Sequence, residues 1–167
     1  SRGEGFETTL EACGAINMCG NGAGIAPPEK VIGRTGAMPL ENFERIIDIN
    51  LNVTFNVLRL AAIEMAKNEA LTADEERGII INTASIAAFD GQMGQAAYAA
   101  SKAGVAGMTL PIARDLSSHG IRINTIAPGL FRTPMSASLP ANAVETCERG
   151  VEAPKALGRT AEYACLV

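Results

Sequence analysis

A tyrosine, a lysine and a serine occur in this sequence at a spacing that suits proton transfer. Tyr98 and Lys102 are four residues apart in an alanine-rich run, so on a helix they share one face, with Cα atoms about 6 Å apart along the axis. A free tyrosine has a pKa near 10, and an adjacent ammonium favours the phenolate. We therefore expect Lys102 to make Tyr98 a usable acid or base, with Ser85 hydrogen-bonding the reacting oxygen.

Ser85 follows a short apolar run that predicts a buried strand. Residues 79–84 are Ile-Ile-Ile-Asn-Thr-Ala, and the loop after Ser85 leads into the helix that carries Tyr98. In open α/β sheets, ligands bind outside the carboxyl ends of the strands. The hydroxyl at the strand end is therefore predicted to meet the phenol and the ammonium at one site.

Strand and helix patterns alternate around this site. We predict helices at 6–13, 40–67 and 95–117, strands at 15–19, 79–84 and 121–127, and a loop at 25–39. The helix at 40–67 carries a broad apolar stripe, made of Phe43, Ile46, Ile47, Leu51, Phe55, Leu58, Ala61, Ala62 and Met65. The width of this stripe predicts its burial against both a sheet and another helix. This order indicates an α/β fold, a partial Rossmann-like, doubly wound parallel sheet in a single domain over 1–167.

The composition argues against several classes of function. The 167 residues include only two tyrosines, five phenylalanines and no tryptophan, so the core must be mostly aliphatic. A net charge of −4 without a basic cluster argues against nucleic acid as a partner. No apolar run approaches the roughly 20 residues of a membrane helix. Four cysteines without a CxxC pair, with a single histidine, predict no metal site and a reducing compartment: the cytoplasm, or the mitochondrion of a eukaryote.

A glycine-rich segment follows the strand predicted at 15–19. Residues 20–24 are Gly-Asn-Gly-Ala-Gly, and Ile25 stands where the dinucleotide fingerprint has its third glycine. The segment also leads into a proline-containing loop rather than into a helix. Two interpretations stay open: a tight turn at the strand end, and a turn that passes close to a cofactor.

Taken together, these motifs resemble those of the short-chain dehydrogenase/reductase family. The resemblance covers nearly all of residues 15–167 and rests on Asn21, Gly22, Ala23, Gly24, Asn50, Ser85, Tyr98, Lys102, Pro128, Gly129 and Thr133. Residues 79–134 are most similar to family members that act on 3-hydroxyacyl-CoA. The resemblance implies an oxidoreductase that interconverts a secondary alcohol and a ketone with NAD, or alternatively NADP.

The resemblance also implies roles for individual residues. The catalytic residues are Asn50, Ser85, Tyr98 and Lys102, where Lys102 also holds the nicotinamide ribose and Asn50 supports a water relay. The cofactor-binding residues are Asn21, Gly22, Ala23, Gly24, Tyr98, Lys102, Pro128, Gly129, Phe131 and Thr133. The substrate, a small molecule or an acyl-CoA, is bound by Ser85, Gln92 and Tyr98 and by a loop over 130–150. A homo-oligomer through the helices at 40–67 and 95–117 is implied as well.

Several alternatives accompany this interpretation. Asn50, which interrupts an apolar stripe, is also explained by a hydrogen-bonded kink. A hydrolase that uses Ser85 and His119 is disfavoured, because no G-x-S-x-G elbow surrounds Ser85. Within the family, no residue decides between the dehydrogenase and a 3-oxoacyl-thioester or steroid ketoreductase. A non-catalytic association module, pairing through the two long helices, is the alternative from another class.

The sequence departs from the family pattern at both ends. The family begins with a strand, a T-G-x-x-x-G-x-G turn, a helix and a second strand that ends in the NAD or NADP selector, and this sequence contains none of them. It enters near the family's fourth strand and stops before the last. We therefore expect a fragment with exposed strand edges at 15–19 and 121–127, prone to aggregation, that binds NAD weakly or not at all in isolation.

Overall fold

The computed structural model describes residues 4–133, 151 and 157–165, which form strands, helices and short helical turns in alternation. In chain order these elements are α1 (Glu4–Cys13), β1 (Met18–Asn21), β2 (Ile32–Gly33), β3 (Gly36–Ala37), α2 (Leu40–Ile47), a π-helical turn (Asp48–Asn52), α3 (Val53–Met65), β4 (Gly78–Thr83), a 3₁₀ turn (Ile86–Ala88), α4 (Ala96–Leu116), a second 3₁₀ turn (Ser117–His119), β5 (Ile121–Ile126), β6 (Phe131–Arg132), β7 (Gly158–Arg159) and α5 (Thr160–Ala164).

The isoleucine-rich strand β4 is the centre of the main sheet and lies between β1 and β5. Both neighbours run parallel to β4, and Ile80 faces Cys19 on one side and Ile123 on the other. β-branched apolar residues suit a strand that is covered on both faces, and Ile80 is fully buried. This arrangement confirms the predicted α/β class with a Rossmann-like parallel sheet. Among the described residues, β1 and β5 are the edges of this sheet.

The hydrophobic core lies between this sheet and the helices packed on it. The buried residues of the cluster are Ile16, Leu58, Ala61, Ala62, Met65, Ile80, Ile121 and Ile123. Partly buried side chains of α1 and α4 cover the cluster, including Phe6, Leu10, Met108, Ile112 and Leu116. Because the cluster is aliphatic, α3 and α4 are fixed against the strands without large aromatic residues.

The boundaries of several elements differ from the prediction by a few residues. The first strand occupies Met18–Asn21 rather than 15–19, although pairing approaches earlier, since the Ile79 amide donates to the Asn17 carbonyl at 2.9 Å. The loop predicted at 25–39 contains the short hairpin β2–β3. Gly120 adopts the left-handed conformation, with φ 66°, that a helix C-cap requires.

The π-helical turn between α2 and α3 changes which part of the predicted stripe is buried. The wider turn at Asp48–Asn52 rotates the face of α3 relative to that of α2. Asn50, Thr54 and Leu58 are buried as a result, whereas Phe55 is 48% exposed. The predicted burial of Phe55 is therefore wrong, because a 3.6-residue period assumes an uninterrupted α-helix.

Together, α2, the π turn and α3 form a continuous helix that is long and apolar enough to cross a membrane. This helix, Leu40–Met65, has 26 residues and is the only one of its kind in the described part of the chain. This corrects the prediction that no apolar run approaches the length of a membrane helix. The mean hydropathy of the helix is high although polar residues interrupt its apolar runs. Only length and composition suggest that this helix could cross a membrane. Its buried face packs on the sheet, as in a core helix.

Candidate active site

A cleft of about 910 Å³ opens at the carboxyl end of the sheet. Its walls come from the segment after β1, the end of β4, the start of α4, the loop after β5, and α5. The predicted site residues that line it are Gly22, Gly24, Ser85, Gln92, Tyr98, Lys102, Pro128, Gly129, Phe131 and Thr133. The volume lies near the upper end of the range for ligand pockets, about 300–1,000 Å³, so the cleft can hold an elongated small molecule.

Tyr98 and Lys102 lie on the same face of α4. The Lys102 Nζ is 5.9 Å from the centroid of the Tyr98 ring. The alanines around Tyr98 favour the helix, which begins at Ala96, so the phenol stands in the first turn. No hydrogen bond joins the Tyr98 hydroxyl to another described residue. Its oxygen can therefore contact a ligand in the cleft.

Lys102 is buried although it carries an amine, since only 4% of the residue is exposed. Its Nζ donates a hydrogen bond of 2.7 Å to the backbone carbonyl of Thr83, the last residue of β4. Burial lowers the pKa of Lys102 from its usual 10.5, because removal from water disfavours the charged form. The strand end thus holds the Lys102 amine beside the phenol.

Ser85 stands just beyond the end of β4, in an extended backbone conformation with φ −168°. Its Oγ accepts a hydrogen bond of 3.1 Å from the Ala87 amide and so caps the 3₁₀ turn at Ile86–Ala88. A hydroxyl that accepts one bond still has its own hydrogen to donate. The cap therefore orients Ser85 and leaves its donor for a ligand.

Asn50 lies behind the cleft wall and is fully buried in the π turn. Its Oδ1 accepts from the Ile25 amide at 2.8 Å, while its Nδ2 donates to the Ile25 carbonyl at 2.9 Å and to the Ser101 Oγ at 3.0 Å. A Cβ on Gly24 would stand 3.1 Å from the Asn50 Oδ1 and 3.6 Å from the Lys102 Nζ. Through its bonds to Ile25, Asn50 therefore holds the end of the glycine-rich segment close to Lys102. These contacts fit the alternative explanation of Asn50 as a hydrogen-bonded kink.

The glycine-rich segment forms both a strand end and a wall of the cleft. Asn21 is the last residue of β1, and its Nδ2 donates to the Asn82 Oδ1 at 2.8 Å, which ties β1 to β4. Gly22 and Gly24 line the cleft, whereas Asn21 and Ala23 do not. A Cβ on Gly22 would meet no atom within 4 Å, so the wall is open there.

The loop after β5 forms another wall of the cleft. The Ile86 amide donates to the Pro128 carbonyl at 2.9 Å, which joins this loop to the 3₁₀ turn next to Ser85. Phe131 follows in β6, which pairs with β7. Residues 130–133 of the predicted substrate loop belong to this wall, and residues 134–150 lie outside the described residues.

Four residues that contribute to this site were not predicted from the sequence: Thr83, Ser101, Thr160 and Tyr163. Ser101 is fully buried, and its hydroxyl donates to the Tyr98 carbonyl at 2.7 Å while accepting from Asn50. Ser101 lies three residues after Tyr98 on the helix, and this spacing could have identified it. Thr160 and Tyr163 lie in a short helix far along the chain and give no spacing signal.

His119 and Ser85 lie at opposite ends of the sheet. His119 is in the 3₁₀ turn before the amino end of β5, whereas Ser85 follows the carboxyl end of β4, and these two strands are parallel. A hydrolase that pairs these two side chains is therefore excluded.

A family model and several known proteins match this chain. A model of the family described as short chain dehydrogenase matches residues 3–143. The chain is 52% identical over 164 residues to 3-hydroxyacyl-CoA dehydrogenase type-2 of Drosophila melanogaster, which covers 97% of this chain and 64% of that protein. It is 53% identical over 156 residues to the Homo sapiens protein of the same name, which covers 92% of this chain and 59% of that protein.

A solved structure shares the whole described fold. The crystal structure of 3-hydroxyacyl-CoA dehydrogenase type-2 from Mycobacterium avium matches with a TM-score of 0.89 and 38% identity, covering 99% of this chain and 66% of that chain. The chain thus spans about three fifths of the length of the curated relatives that it matches.

Proposed function

Because this chain belongs to the short chain dehydrogenase family, we propose that it carries the catalytic part of an oxidoreductase that interconverts a secondary alcohol and a ketone. The proposed substrate pair is 3-hydroxyacyl-CoA and 3-oxoacyl-CoA, which the names of its relatives support. The observation that carries the proposal is the common cleft of Ser85, Tyr98 and Lys102. A phenol, an amine and a hydroxyl donor at one strand end suit the movement of one proton.

Tyr98 is the proposed acid–base group. During oxidation its phenolate oxygen takes the proton of the substrate hydroxyl, and during reduction the phenol returns a proton to the carbonyl oxygen. Lys102 lies beside the phenol, with its Nζ 5.9 Å from the ring centroid, and so places an amine next to the reacting oxygen. Ser85 donates a hydrogen bond to the same substrate oxygen and so holds it beside Tyr98. Gln92 lines the cleft and is the third proposed substrate-binding residue.

The glycine-lined part of the cleft fits a nicotinamide cofactor, which when bound accepts or supplies a hydride. A Cβ on Gly22 or Gly129 would meet no atom within 4 Å, so a ligand can approach the backbone there. Lys102 uses one donor on Thr83 and, when protonated, has two more for a ribose hydroxyl. The residues proposed to hold the cofactor are Gly22, Gly24, Tyr98, Lys102, Pro128, Gly129, Phe131 and Thr133, with Asn21 and Ala23 supporting them.

Three finer assignments belong to this proposal. Asn50 supports a water relay toward Lys102, because both side chains lie within 4 Å of the position that a Cβ on Gly24 would occupy. For the cofactor we propose NAD, with NADP as the alternative. Residues 134–150 complete the substrate loop that begins at residue 130.

The substitution Tyr98→Phe, made in the complete protein, tests the function. It removes the proton-carrying oxygen and keeps the ring, so turnover of 3-hydroxyacyl-CoA should fall by about 10²–10⁴-fold. The melting temperature should stay close to that of the wild type, because the Tyr98 hydroxyl has no hydrogen-bond partner among the described residues. Turnover at the wild-type rate in this variant would refute the role of Tyr98 and with it the proposed chemistry.

The wild-type measurements decide between the remaining alternatives. Parallel titrations with NADH and NADPH identify the cofactor, and tighter binding of NADPH would replace NAD by NADP. A panel that includes a 3-oxoacyl thioester of a carrier protein and a steroid ketone tests the substrate class. Faster turnover of either compound would replace the acyl-CoA assignment by a ketoreductase.

We also propose that the chain pairs with copies of itself through residues 40–67 and 95–117. Apolar side chains are exposed on these helices, with exposed fractions of 48% for Val53 and Phe55 and 60% for Ile63 on α3. Leu110 on α4 is 58% exposed. Contiguous apolar patches on a surface are typical of protein–protein contacts, and we propose that these side chains contribute to one.

The substitution Phe55→Glu tests this pairing, because a charge on the contact face opposes association. The mass measured by light scattering should fall to that of the monomer. Leu71→Glu is the matched control, since Leu71 is 57% exposed outside these helices and its substitution should leave the mass unchanged. A multimeric mass for Phe55→Glu would contradict the proposed surface. Pairing in a wild type without turnover would favour the non-catalytic association module.

The free cysteine thiols are the basis for the proposed cellular compartment. Cys13, Cys19 and Cys165 are free, and burial raises the pKa of the Cys19 thiol, which keeps it protonated. Free thiols fit a reducing compartment, so we propose the cytoplasm, or the mitochondrion of a eukaryote.

A further inference from the structure

The hydroxyl of Tyr163 joins helix α5 to the end of β4. The Tyr163 oxygen lies 2.6 Å from the Thr83 Oγ1, although the two residues are 80 positions apart in the sequence. Thr83 is also the residue whose backbone carbonyl accepts the hydrogen bond from Lys102. One residue at the strand end therefore contacts α4 through its carbonyl and α5 through its side chain.

The ring of Tyr163 packs against Phe131 in the cleft wall. The two ring centroids are 6.0 Å apart with an angle of 74° between the planes, which is the favoured edge-to-face geometry. Phe131 is confined by Gly158 as well, since a Cβ on Gly158 would come within 2.6 Å of its ring. The Gly158 amide also donates to the Leu130 carbonyl at 3.0 Å. The position of Phe131 is therefore set by the segment that contains Tyr163.

We infer that Tyr163 is a positioning residue, which fixes Phe131 at the wall of the cleft that receives the cofactor. The inference rests on the proposed function, which places Phe131 among the residues that hold the cofactor. Tyr163, Phe131 and Thr83 all line the cleft, so a shift of Phe131 changes the shape of the cleft directly. The Tyr163 hydroxyl is engaged by Thr83, and its effect on the cofactor passes through Phe131.

The substitution Tyr163→Phe in the complete protein tests the inference. It removes the hydrogen bond to Thr83 and keeps the ring that packs on Phe131. The loss of one hydrogen bond corresponds to a change of about 2- to 10-fold in an equilibrium constant. We expect the KM for the cofactor to rise by that factor. The kcat, the KM for the alcohol and the pH profile of kcat should stay close to those of the wild type.

Two further variants isolate the proposed contact. Thr83→Val removes the same hydrogen bond from the strand side and keeps the carbonyl that holds Lys102, so Tyr163→Phe should add no further rise in that background. Thr109→Val is the matched control, because the Thr109 hydroxyl pairs with that of Thr125 at 2.5 Å outside the residues that line the cleft. The KM for the cofactor should be unchanged in Thr109→Val.

Several results would contradict the positioning role of Tyr163. An active wild type whose KM for the cofactor is unchanged in Tyr163→Phe would overturn the inference, as would additive effects of the Tyr163 and Thr83 substitutions. A shifted pH profile would also overturn it, because it would assign Tyr163 to proton transfer. A lower melting temperature without the change in KM would reduce Tyr163 to a stabilising residue. A wild type without turnover refutes the proposed function, and cofactor titration of Tyr163→Phe then tests the inference by itself.

Discussion

The two ends of strand β4 use polar side chains in opposite ways. At the amino end, the Arg77 Nε donates to the Asn68 carbonyl, and the Asn68 Nδ2 donates to the carbonyls of Ile16 and Arg77. At the carboxyl end, the Tyr98 hydroxyl has no partner among the described residues, and the Ser85 hydroxyl keeps its hydrogen for another acceptor. At the amino end, these polar side chains are therefore hydrogen-bonded to the backbone of the chain. At the carboxyl end, polar groups remain that can bind a ligand.

This difference separates the residues that stabilise the fold from those that act on a ligand. The hydrogen bonds of the half-buried Asn68 and Arg77 each contribute about 0.5–1.5 kcal/mol to stability. The ion pair between Arg122 and Glu76, at 2.7 Å, lies at the same end, but its exposure limits its contribution to about 0–1 kcal/mol. We therefore expect substitutions at the amino end to change stability, and substitutions at the carboxyl end to change turnover.

The substitution Lys102→Met should have the largest effect and acts at the carboxyl end. Methionine keeps an apolar stem of similar length and removes the amine, so turnover should fall by about 10²–10⁴-fold. The free energy of unfolding should change little or rise, because burial of a charged amine carries a desolvation cost. Steady-state kinetics and urea unfolding of the same preparation measure both quantities. A large loss of stability with unchanged turnover would reverse the proposed division between the two ends.

The pH dependence of stability gives Lys102→Met a second signature. Burial lowers the pKa of Lys102 below 10.5 in the folded state, so between the folded and unfolded values the unfolded chain binds more protons. The stability contribution of Lys102 should therefore rise as the pH passes through the folded pKa toward 10.5, and Lys102→Met should lack this rise. Urea unfolding at steps from about pH 8 to pH 10.5 measures the difference. Parallel curves for the two proteins would show that Lys102 has no lowered pKa.

The sheet and the start of α4 could be predicted because their signals are local. Three consecutive isoleucines define β4, and the predicted helix at 95–117 differs from Ala96–Leu116 by one residue at each end. The spacing of Tyr98 and Lys102 likewise depends on one helix, so it places both side chains on one face before any packing is known. Local periodicity therefore predicted the elements that bring the cleft residues together.

Tyr163 and Phe55 could not be predicted because their positions depend on other parts of the chain. Tyr163 reaches Thr83 across 80 residues, through the pairing of β6 with β7, and no period in the sequence connects them. Phe55 is exposed because the π turn changes the phase of α3. Asn50 in this turn is hydrogen-bonded to Ile25, which lies 25 positions earlier in the sequence. Contacts that a distant segment supplies leave no spacing signal.

The substitution Gly120→Ala tests the amino end and should have the smaller effect. Gly120 has φ 66°, and a Cβ there would overlap the carbonyl oxygen of Glu75. A residue other than glycine in this conformation costs about 1–3 kcal/mol, and the overlap adds to that cost, so unfolding in urea should shift by about 3 kcal/mol. The kcat and KM of the folded fraction should equal those of the wild type, because Gly120 lies at the other end of the sheet from Tyr98.

Gly107→Ala is the matched control for Gly120→Ala. Gly107 is exposed inside α4, and a Cβ there would meet no atom within 4 Å. Alanine favours a helix over glycine by about 0.5–1 kcal/mol, so this variant should be slightly more stable than the wild type. Equal unfolding free energies for the two variants would contradict the strain assigned to Gly120. A drop in kcat of folded Gly120→Ala would show that the amino end is coupled to the cleft, because neither Gly120 nor Glu75 lines it.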